Sequence, residues 1–415
     1  MERFGLDFGT TNTTLARVRG DGTSELVPMD PRATDPHVLR SLLYYSLEAR
    51  EFVVGQQAVD EYLAEGMAGV LIQSIKTFLA DESFEETFIH DRYWTLEELI
   101  AVLFRRVRAV IHACTTDDVA LVVGRPAVFI DRPEREELAR TRIRRAAARA
   151  GFDTVTFAYE PIAAGLAYEA TLDQSQLVLI ADLGGGTSDF TLMRLGGARG
   201  GDRAADILAT GGVQIGGDSF DATIMTRRLA HHFGSTSTYR SMEGRELPFP
   251  AHVTALLGRW HQVPFLRGRK MRDLLGRVRF ASSDPEAIDR LEGLVEGNLA
   301  FFLFDAIEGA KTRLSSVPTT TLAFDRGGIA LEERLSRGAL DALTSDDRTR
   351  VAACLDRVLG DAGVEAGQVE AVFLTGGSAQ MPALRELFVA RFGDDRLRAR
   401  DYLTTVASGL ALCGG

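Results

Sequence analysis

Apolar and polar positions along this chain switch repeatedly between the two-residue period of strands and the 3.6-residue period of helices. RFGLDFGTTNTTLARV (3–18) alternates as a strand, breaks on a turn rich in Gly and Thr, and resumes as a second strand. SLLYYSLEAREFVVGQQAVDEYL (41–63) predicts a hairpin leading into a helix, and TLEELIAVLFRRVRAVIHA (95–113) a long amphipathic helix. VALVVGRP (119–126) has the unbroken apolar run of a buried strand. A charged helix from Pro133 to about Gly151 follows, then a short strand, TVTFAYE (154–160). EPIAAGLAYEA (160–170) reads as a helix with Pro161 in its first turn and small residues throughout, suited to close packing between domains.

The second half repeats the opening theme. VLIADLGGGTSDFTLMRL (178–195) is again a strand ending in Asp, a glycine turn and a second strand. ILATGGVQIGGDSFDATIMTRRLAHHF (207–233) predicts a strand, a glycine turn and a helix capped by Asp218. Residues 234–290 read as a mainly helical subdomain with loops, and LAFFLFDAIEGAKTRLSS (299–316) as an amphipathic helix. AVFLTGGSAQMPALRELF (371–388) predicts a buried strand, a Gly-Gly turn and a helix, and TTVASGLALCGG (404–415) a final small-residue helix. Strands alternating with helices give an α/β protein with mixed sheets. The echo of 3–18 in 178–195 divides it into two duplicated lobes, 1–177 and 178–415. Subdomains are inserted near 39–105 and 216–304.

Composition narrows the class. At 415 residues, 45% hydrophobic and 25% charged, the chain has the make-up of an ordinary globular protein. Its net charge of −11 disfavours nucleic acid and anionic membranes as partners. Cys114, Cys354 and Cys413 are scattered and form no CxxC pair, which fits reduced thiols in a cytoplasm. The N-terminus lacks a signal-peptide pattern, and no run reaches the roughly 18 apolar residues of a spanning helix. The expectation is a soluble, cytoplasmic protein. Basic runs at 139–152 and 267–280 lack an aromatic platform and read as solvated helix faces. His231 and His232 are adjacent with no third ligand evident, and read as non-metal.

The chemistry centres on ADLGGGTSDF (181–190), where Asp182 and Asp189 bracket three glycines. Glycines let main-chain N–H groups close on a phosphate. Two carboxylates beside such a cradle repel an anion unless a divalent cation or a reacting water lies between them. The stretch is either a tight hairpin with turn-forming acids or half of a Mg-nucleotide site. No GxxxxGK(S/T) loop or GxGxxG fingerprint is present.

Seven stretches in order, GLDFGTTN, RPAVF, EPIAAGLAY, DLGGGTSDF, IGGDSFD, EGAKTRLSS and FLTGGSAQMP, resemble the actin, sugar-kinase and heat-shock chaperone ATPases. The chain looks most like the nucleotide-binding domain of DnaK-type chaperones, although bacterial actins share several of these stretches. The resemblance implies the actin-like ATPase fold, with two ribonuclease-H-like lobes, a nucleotide cleft between them, and ATP/ADP with Mg²⁺ as cofactors. Under it, Gly9, Thr10, Thr11 and Asn12 form one phosphate turn and Gly184, Gly185, Gly186 and Thr187 the other. Asp7 and Asp182 hold Mg²⁺ through water, and Asp182 and Asp189 orient metal-bound and attacking waters. Glu160 senses nucleotide and positions water, Pro126 relays between domains, and Lys76 in QSIKTFLA meets the terminal phosphate. Gly216 and Gly217 join the phosphate cradle, while Glu308, Lys311 and Ser315 line the nucleoside opposite Gly376, Gly377 and Ser378.

Two places depart from the pattern. Arginines that sandwich the adenine in the chaperones are replaced by Thr312 and Gln380. The stop after the small-residue helix, with RWHQVPFL in a lengthened stretch, resembles a short, YegD-like branch without a peptide-binding domain. The implied function is an ATP-binding, slowly hydrolysing chaperone-like ATPase whose protein partner is not specified by the residues. A bacterial-actin-like filament protein, a small-metabolite kinase and a nucleotide-binding pseudo-ATPase are the rival readings.

Overall fold

The computed structural model describes residues 2–66, 69–126, 133–169, 172–196, 203–241, 243–399 and 402–413. Two mixed sheets are built on one plan. In the first, the order is Thr154–Tyr159, Val119–Arg125, Glu2–Phe8, Asn12–Val18 and Ser24–Leu26, and Val38–Arg40 also pairs with Asn12–Val18. In the second it is Leu397–Ala399, Ala371–Thr375, Gln176–Leu183, Ser188–Leu195 and Ile207–Val213. Each has a central strand, Glu2–Phe8 or Gln176–Leu183. It runs antiparallel to the next strand in sequence and parallel to its other neighbour. Parallel neighbours require crossovers, supplied here by helices such as Leu96–Cys114 and Ser345–Asp361. The repeated Asp-glycine turn therefore sits at the same point of both sheets, at the end of the central strand.

Local chemistry fixes these crossovers. Thr95 Oγ1 accepts from the Glu98 N–H at 3.3 Å, and the Glu98 carboxylate accepts from the Thr95 N–H at 2.9 Å. This capping box starts the helix Leu96–Cys114, and Leu99, Phe104 and Val107 bury it against the first sheet's core.

Two small-residue helices join the halves. Glu160–Glu169 leads from the last strand of the first sheet to the central strand of the second. Tyr402–Leu412 follows the second sheet yet packs on the first. A Cβ on Gly5 would lie 2.2 Å from the Ala411 nitrogen, and one on Gly409 would lie 1.8 Å from the Ala163 oxygen. Backbone meets backbone there, and no larger residue fits.

Three features depart from the sequence-based expectation. The helix beginning at Gly217 is capped by Gly216, with Asp218 in its first turn rather than at the cap. The Gly216 N–H donates to Ser219 Oγ at 3.3 Å, so the serine two residues after the glycines does the reciprocal capping. That helix ends at Ile224 and continues as a π turn, Met225–Leu229, and a 3₁₀ turn, Ala230–Phe233, before Gly234 reverses the chain at φ 88°. A hairpin, Thr319–Arg326 with Ile329–Ser336, was not anticipated. Residues 127–129 of RPAVF and the final two glycines lie outside the described residues. Among the described residues no helix is long and apolar enough to cross a membrane.

Candidate functional site

The glycine turns converge. Behind the first, Ser41 Oγ donates to the Gly9 oxygen and the Ser41 N–H to the Thr11 oxygen, each at 2.8 Å, pinning the half-buried Thr10 and Thr11. Asn12 begins the next strand, in register with Arg40. The second turn is closed by the Gly184 N–H donating to the Thr187 oxygen at 2.9 Å. Its carbonyls are held from two sides. The Gly217 N–H and Ser378 Oγ donate to the Gly184 oxygen at 3.0 and 2.9 Å, and the Asp218 N–H donates to the Gly185 oxygen at 2.7 Å. Gly216 and Gly376 allow this approach, since a Cβ on either would lie 2.4 Å from a carbonyl oxygen of the 183–185 segment. A Cβ on Gly185 would lie 3.1 Å from Thr11 Oγ1, so the two Asp-glycine turns face each other. Beside Gly186 and Gly377, by contrast, a Cβ would meet nothing within 4 Å. The cradle is tight behind and open in front.

Carboxylates crowd its floor. Asp182 and Asp189 are register partners across the second hairpin, a placement that sets side chains about 5 Å apart. Burial pushes Asp182 well above the ordinary carboxylate range, and the charges of Asp189, Glu160 and Asp7 add to it. Burial pushes Asp189 up to about 6, although the 2.6 Å bond from Thr187 Oγ1 opposes the shift. Asp7 is pushed up to about 7 by burial and by Glu160, against the pull of Lys76. Lys76 enters from the stretch between the strands Asn12–Val18 and Val119–Arg125, where Ser74 at φ 57° starts the 3₁₀ turn Ile75–Phe78. Its Nζ donates to Glu160 Oε1 at 3.0 Å. Burial works against the ammonium, but Glu160, Asp7 and Asp182 outweigh it and hold Lys76 above its ordinary value. Four carboxylates share one lysine. Such a floor favours a divalent cation over further anionic side chains, and raised carboxyls beside a small cavity are placed to take a proton from water.

Lys311 makes its described contacts inside the protein. Its Nζ donates to Asp221 Oδ2 at 2.8 Å and to the Gly217 oxygen at 3.1 Å. Its charge is thus spent inside the protein, bracing the Gly216–Gly217 turn. Burial pushes Asp221 up to about 7 against that lysine, and Asp221 Oδ1 has no hydrogen-bond partner among the described residues. Glu308 is exposed one turn earlier on the same helix. Ser315 is half-buried one turn later, its carbonyl accepting from Arg337 at 3.2 Å. Ser378 is buried, while Thr312 and Gln380 are exposed. Pro126 lines the small cavity that also holds Glu160, Asp182 and Asp189.

Three residues escaped the sequence reading. Asp221 stands inside the quoted IGGDSFD, and its position one helical turn after Gly217 was the available signal. Thr375, whose Oγ1 donates to the Ala181 oxygen at 3.2 Å, adjoins the Gly-Gly turn. Ser41 has no local signal at all. Glu333 supplies the acid near His231 and His232 that sequence spacing did not, with ligand atoms within 4.8 Å of one another. Arg228 already engages that carboxylate.

The family profile described as Hsp70 protein matches residues 53–243 and 298–415. The chain is 27% identical over 419 residues to the chaperone protein DnaK of Halobacterium salinarum, covering 99% of this chain and 55% of that protein. It spans about half the length of that DnaK.

Proposed function

The chain belongs to the Hsp70 family, and on that premise we propose that it binds ATP or ADP with Mg²⁺ and hydrolyses ATP slowly, as a chaperone-like ATPase. The nucleotide cleft lies between the lobes 1–177 and 178–415, each carrying its inserted subdomain. The observation that carries the reading is the convergence of the Thr10–Thr11 and Gly184–Thr187 turns above Asp7, Asp182 and Lys76.

Backbone N–H groups of Gly9, Thr10, Thr11, Gly185 and Gly186 would face the phosphates, with the Gly184 N–H closing the turn on the Thr187 oxygen. The open space beside Gly186 and Gly377 supports this fit, because a side chain at either position would occupy it. Asp7 and Asp182 hold the metal through water, and Asn12 closes the first turn. Mg²⁺, when bound, neutralises phosphate charge and offsets the repulsion among these acids. Lys76 places its ammonium where charge builds on the transferring phosphoryl group. Glu160 holds Lys76 in that position, and Asp189, fixed by Thr187, orients the attacking water. Ser378 and the Gly376–Gly377 turn lie on the nucleoside side with Glu308 and Ser315, while Lys311 supports the turn from within.

Calorimetric titration of ATP, ADP and AMP with and without Mg²⁺, followed by phosphate release, tests this. We expect Mg-dependent binding of the di- and triphosphates, and turnover of ATP above the protein-free rate. Binding without turnover favours the pseudo-ATPase reading. Binding indifferent to Mg²⁺ overturns the assignment of Asp7 and Asp182.

A further inference from the structure

A cavity of about 700 Å³ lies outside this site, in the segment between the two strands of the first sheet that flank it in sequence. Its walls come from four elements: the hairpin Leu42–Ser46 with Glu51–Val54, the helix Gly55–Ala64 through Gln57, the hairpin Glu86–Ile89 with Arg92–Thr95, and the helix Leu96–Cys114. Four arginines line it, Arg50, Arg92, Arg105 and Arg106, against two carboxylates, Glu51 and Asp91. In a chain of net charge −11, this is a local reversal of sign.

The four guanidiniums are not equivalent. Arg106 is fixed, donating from Nε and Nη2 to the Met29 oxygen at 3.1 and 2.7 Å. Arg92 lies 3.4 Å over the Trp94 ring and 3.5 Å from the Glu98 carboxylate. Arg50 and Arg105 make no ion pair among the described residues. The wall behind them is rigid and aromatic, with Phe52 edge-on to both Tyr45 and Trp94 at 5.2 and 4.8 Å between ring centres. Trp94 Nε1 is buried without an acceptor among the described residues. Isolated surface arginines are ordinarily solvated. Four of them brought to one concavity by three separate elements, beside a donor lacking its acceptor, form a surface that is short of anions. Guanidinium forks match phosphate oxygens bidentately, and lysine, the weaker partner for that geometry, is absent from the lining.

We propose that this cavity binds a small molecule carrying two or more phosphate groups, held by Arg50 and Arg105 and seated on Arg106 and the Arg92–Trp94 stack.

The chain has two tryptophans, so Trp260→Phe leaves Trp94 as a reporter within the cavity wall. In that background, inorganic pyrophosphate is titrated at fixed ionic strength while indole emission is followed. A saturable change is expected, because drawing the Arg92 guanidinium toward a phosphate alters the stack on Trp94. Arg50→Ser with Arg105→Ser should weaken it by about tenfold or more, the loss of a strong charge-assisted contact. Both arginines are exposed, so this variant should keep the melting temperature of its parent. Gly186→Ala, which fills open space in the other site, should leave the Trp94 titration unchanged. The proposal is overturned by a response that fails to saturate, or that survives in the double arginine variant. Loss of the response in Gly186→Ala with retention in the arginine variant also overturns it, because binding then lies in the glycine cradle.

Discussion

The Lys76 ammonium and the Glu160 carboxylate meet at 3.0 Å, with each side chain only 12% exposed. The bond ties the Ile75–Phe78 turn, entered through Ser74 at φ 57°, to the first residue of the small-residue helix that connects the two sheets. An ion pair this buried costs desolvation that hydrogen bonding must offset, and it weakens sharply when one partner is lost.

Lys76→Ala should therefore depress turnover more than binding. A phosphoryl-transfer site commonly loses about 10²- to 10³-fold in kcat when one preorganised charge is removed. The glycine turns keep their own hydrogen bonds in the variant, so nucleotide affinity should change far less. Single-turnover hydrolysis and calorimetry on the same preparation separate the two. Glu160→Gln should also slow turnover. Equal losses of affinity and rate in both variants would mark the pair as structural only.

The raised acids give the ligand-free protein a pH dependence with a definite sign. Asp7 is pushed up to about 7 and Asp189 to about 6, above the 3.8 of an unperturbed aspartate. Between pH 4 and 7 the folded state thus binds more protons than the unfolded one, and stability falls as pH rises through that window. Asp7→Asn removes one contributor. Its melting temperature should exceed the parent's by less at pH 5, where Asp7 is neutral in the folded state and ionised only in the unfolded one, than at pH 8, where both states carry the charge. The gain should be of order a few kcal/mol at most. Mg²⁺ should stabilise the parent more at pH 8 than at pH 5, and Asp7→Asn much less. A variant gain that is the same at both pH values removes Asp7 from the cluster.

How much of this was legible depended on sequence distance. Both Asp-glycine hairpins could be read because strand, turn and strand are contiguous, and apolar alternation fixes their register. The long helix 96–114 could be read because its cap, its acidic first turn and its apolar repeat agree. Lys76 was reached only through resemblance, since its partner lies 84 residues away. Asp221 and Lys311 are separated by 90 residues, and neither has a local pattern that announces a buried pair. Asp218 was misassigned as a cap because Asp is a strong N-cap former, while the chain needed Gly216 there for the close approach of the Gly185 carbonyl. The hairpin 319–336 hides behind a turn, Gly327–Gly328, that sequence pattern alone did not set apart from a loop.

Thr312 and Gln380 give a prediction about the base. In the chaperones that this chain resembles, arginines at these places sandwich the adenine, and stacking of that kind contributes about 0.5–2 kcal/mol per contact. Here both residues are exposed and neither is cationic. ATP should be preferred over GTP only modestly, by under about tenfold by the same reckoning. Thr312→Arg with Gln380→Arg should raise ATP affinity and leave the Mg²⁺ requirement as it was. Competition binding of ATP against GTP, before and after the double change, decides it. Strong adenine selectivity in the unmodified protein would mean that other side chains grip the base.

The glycines themselves separate structure from binding. Gly409 and Gly5 sit where backbone meets backbone, and a methyl at Gly409 would lie 1.8 Å from the Ala163 oxygen. Gly409→Ala must push the C-terminal helix away from the connecting helix. Overpacking of this kind typically costs about 1–3 kcal/mol, and an overlap this close with rigid backbone should fall at or above the top of that range. Gly186 and Gly377 are the opposite case. A methyl there meets nothing within 4 Å, and neither residue has a left-handed φ. Gly377→Ala and Gly186→Ala should therefore leave the melting temperature of the ligand-free protein nearly unchanged, within about 0.5 kcal/mol. Their affinity for Mg-nucleotide should nevertheless fall, by tenfold or more for about 1.4 kcal/mol of lost contact, because the added methyl takes the space that the phosphates and nucleoside need. Thermal melts without ligand and titrations with ADP on the same samples read the two effects apart. Stability and affinity falling together would show that the space is structural. Unchanged affinity in both alanine variants would show that nucleotide does not approach these turns, and the proposed cleft would have to be sought elsewhere in the molecule.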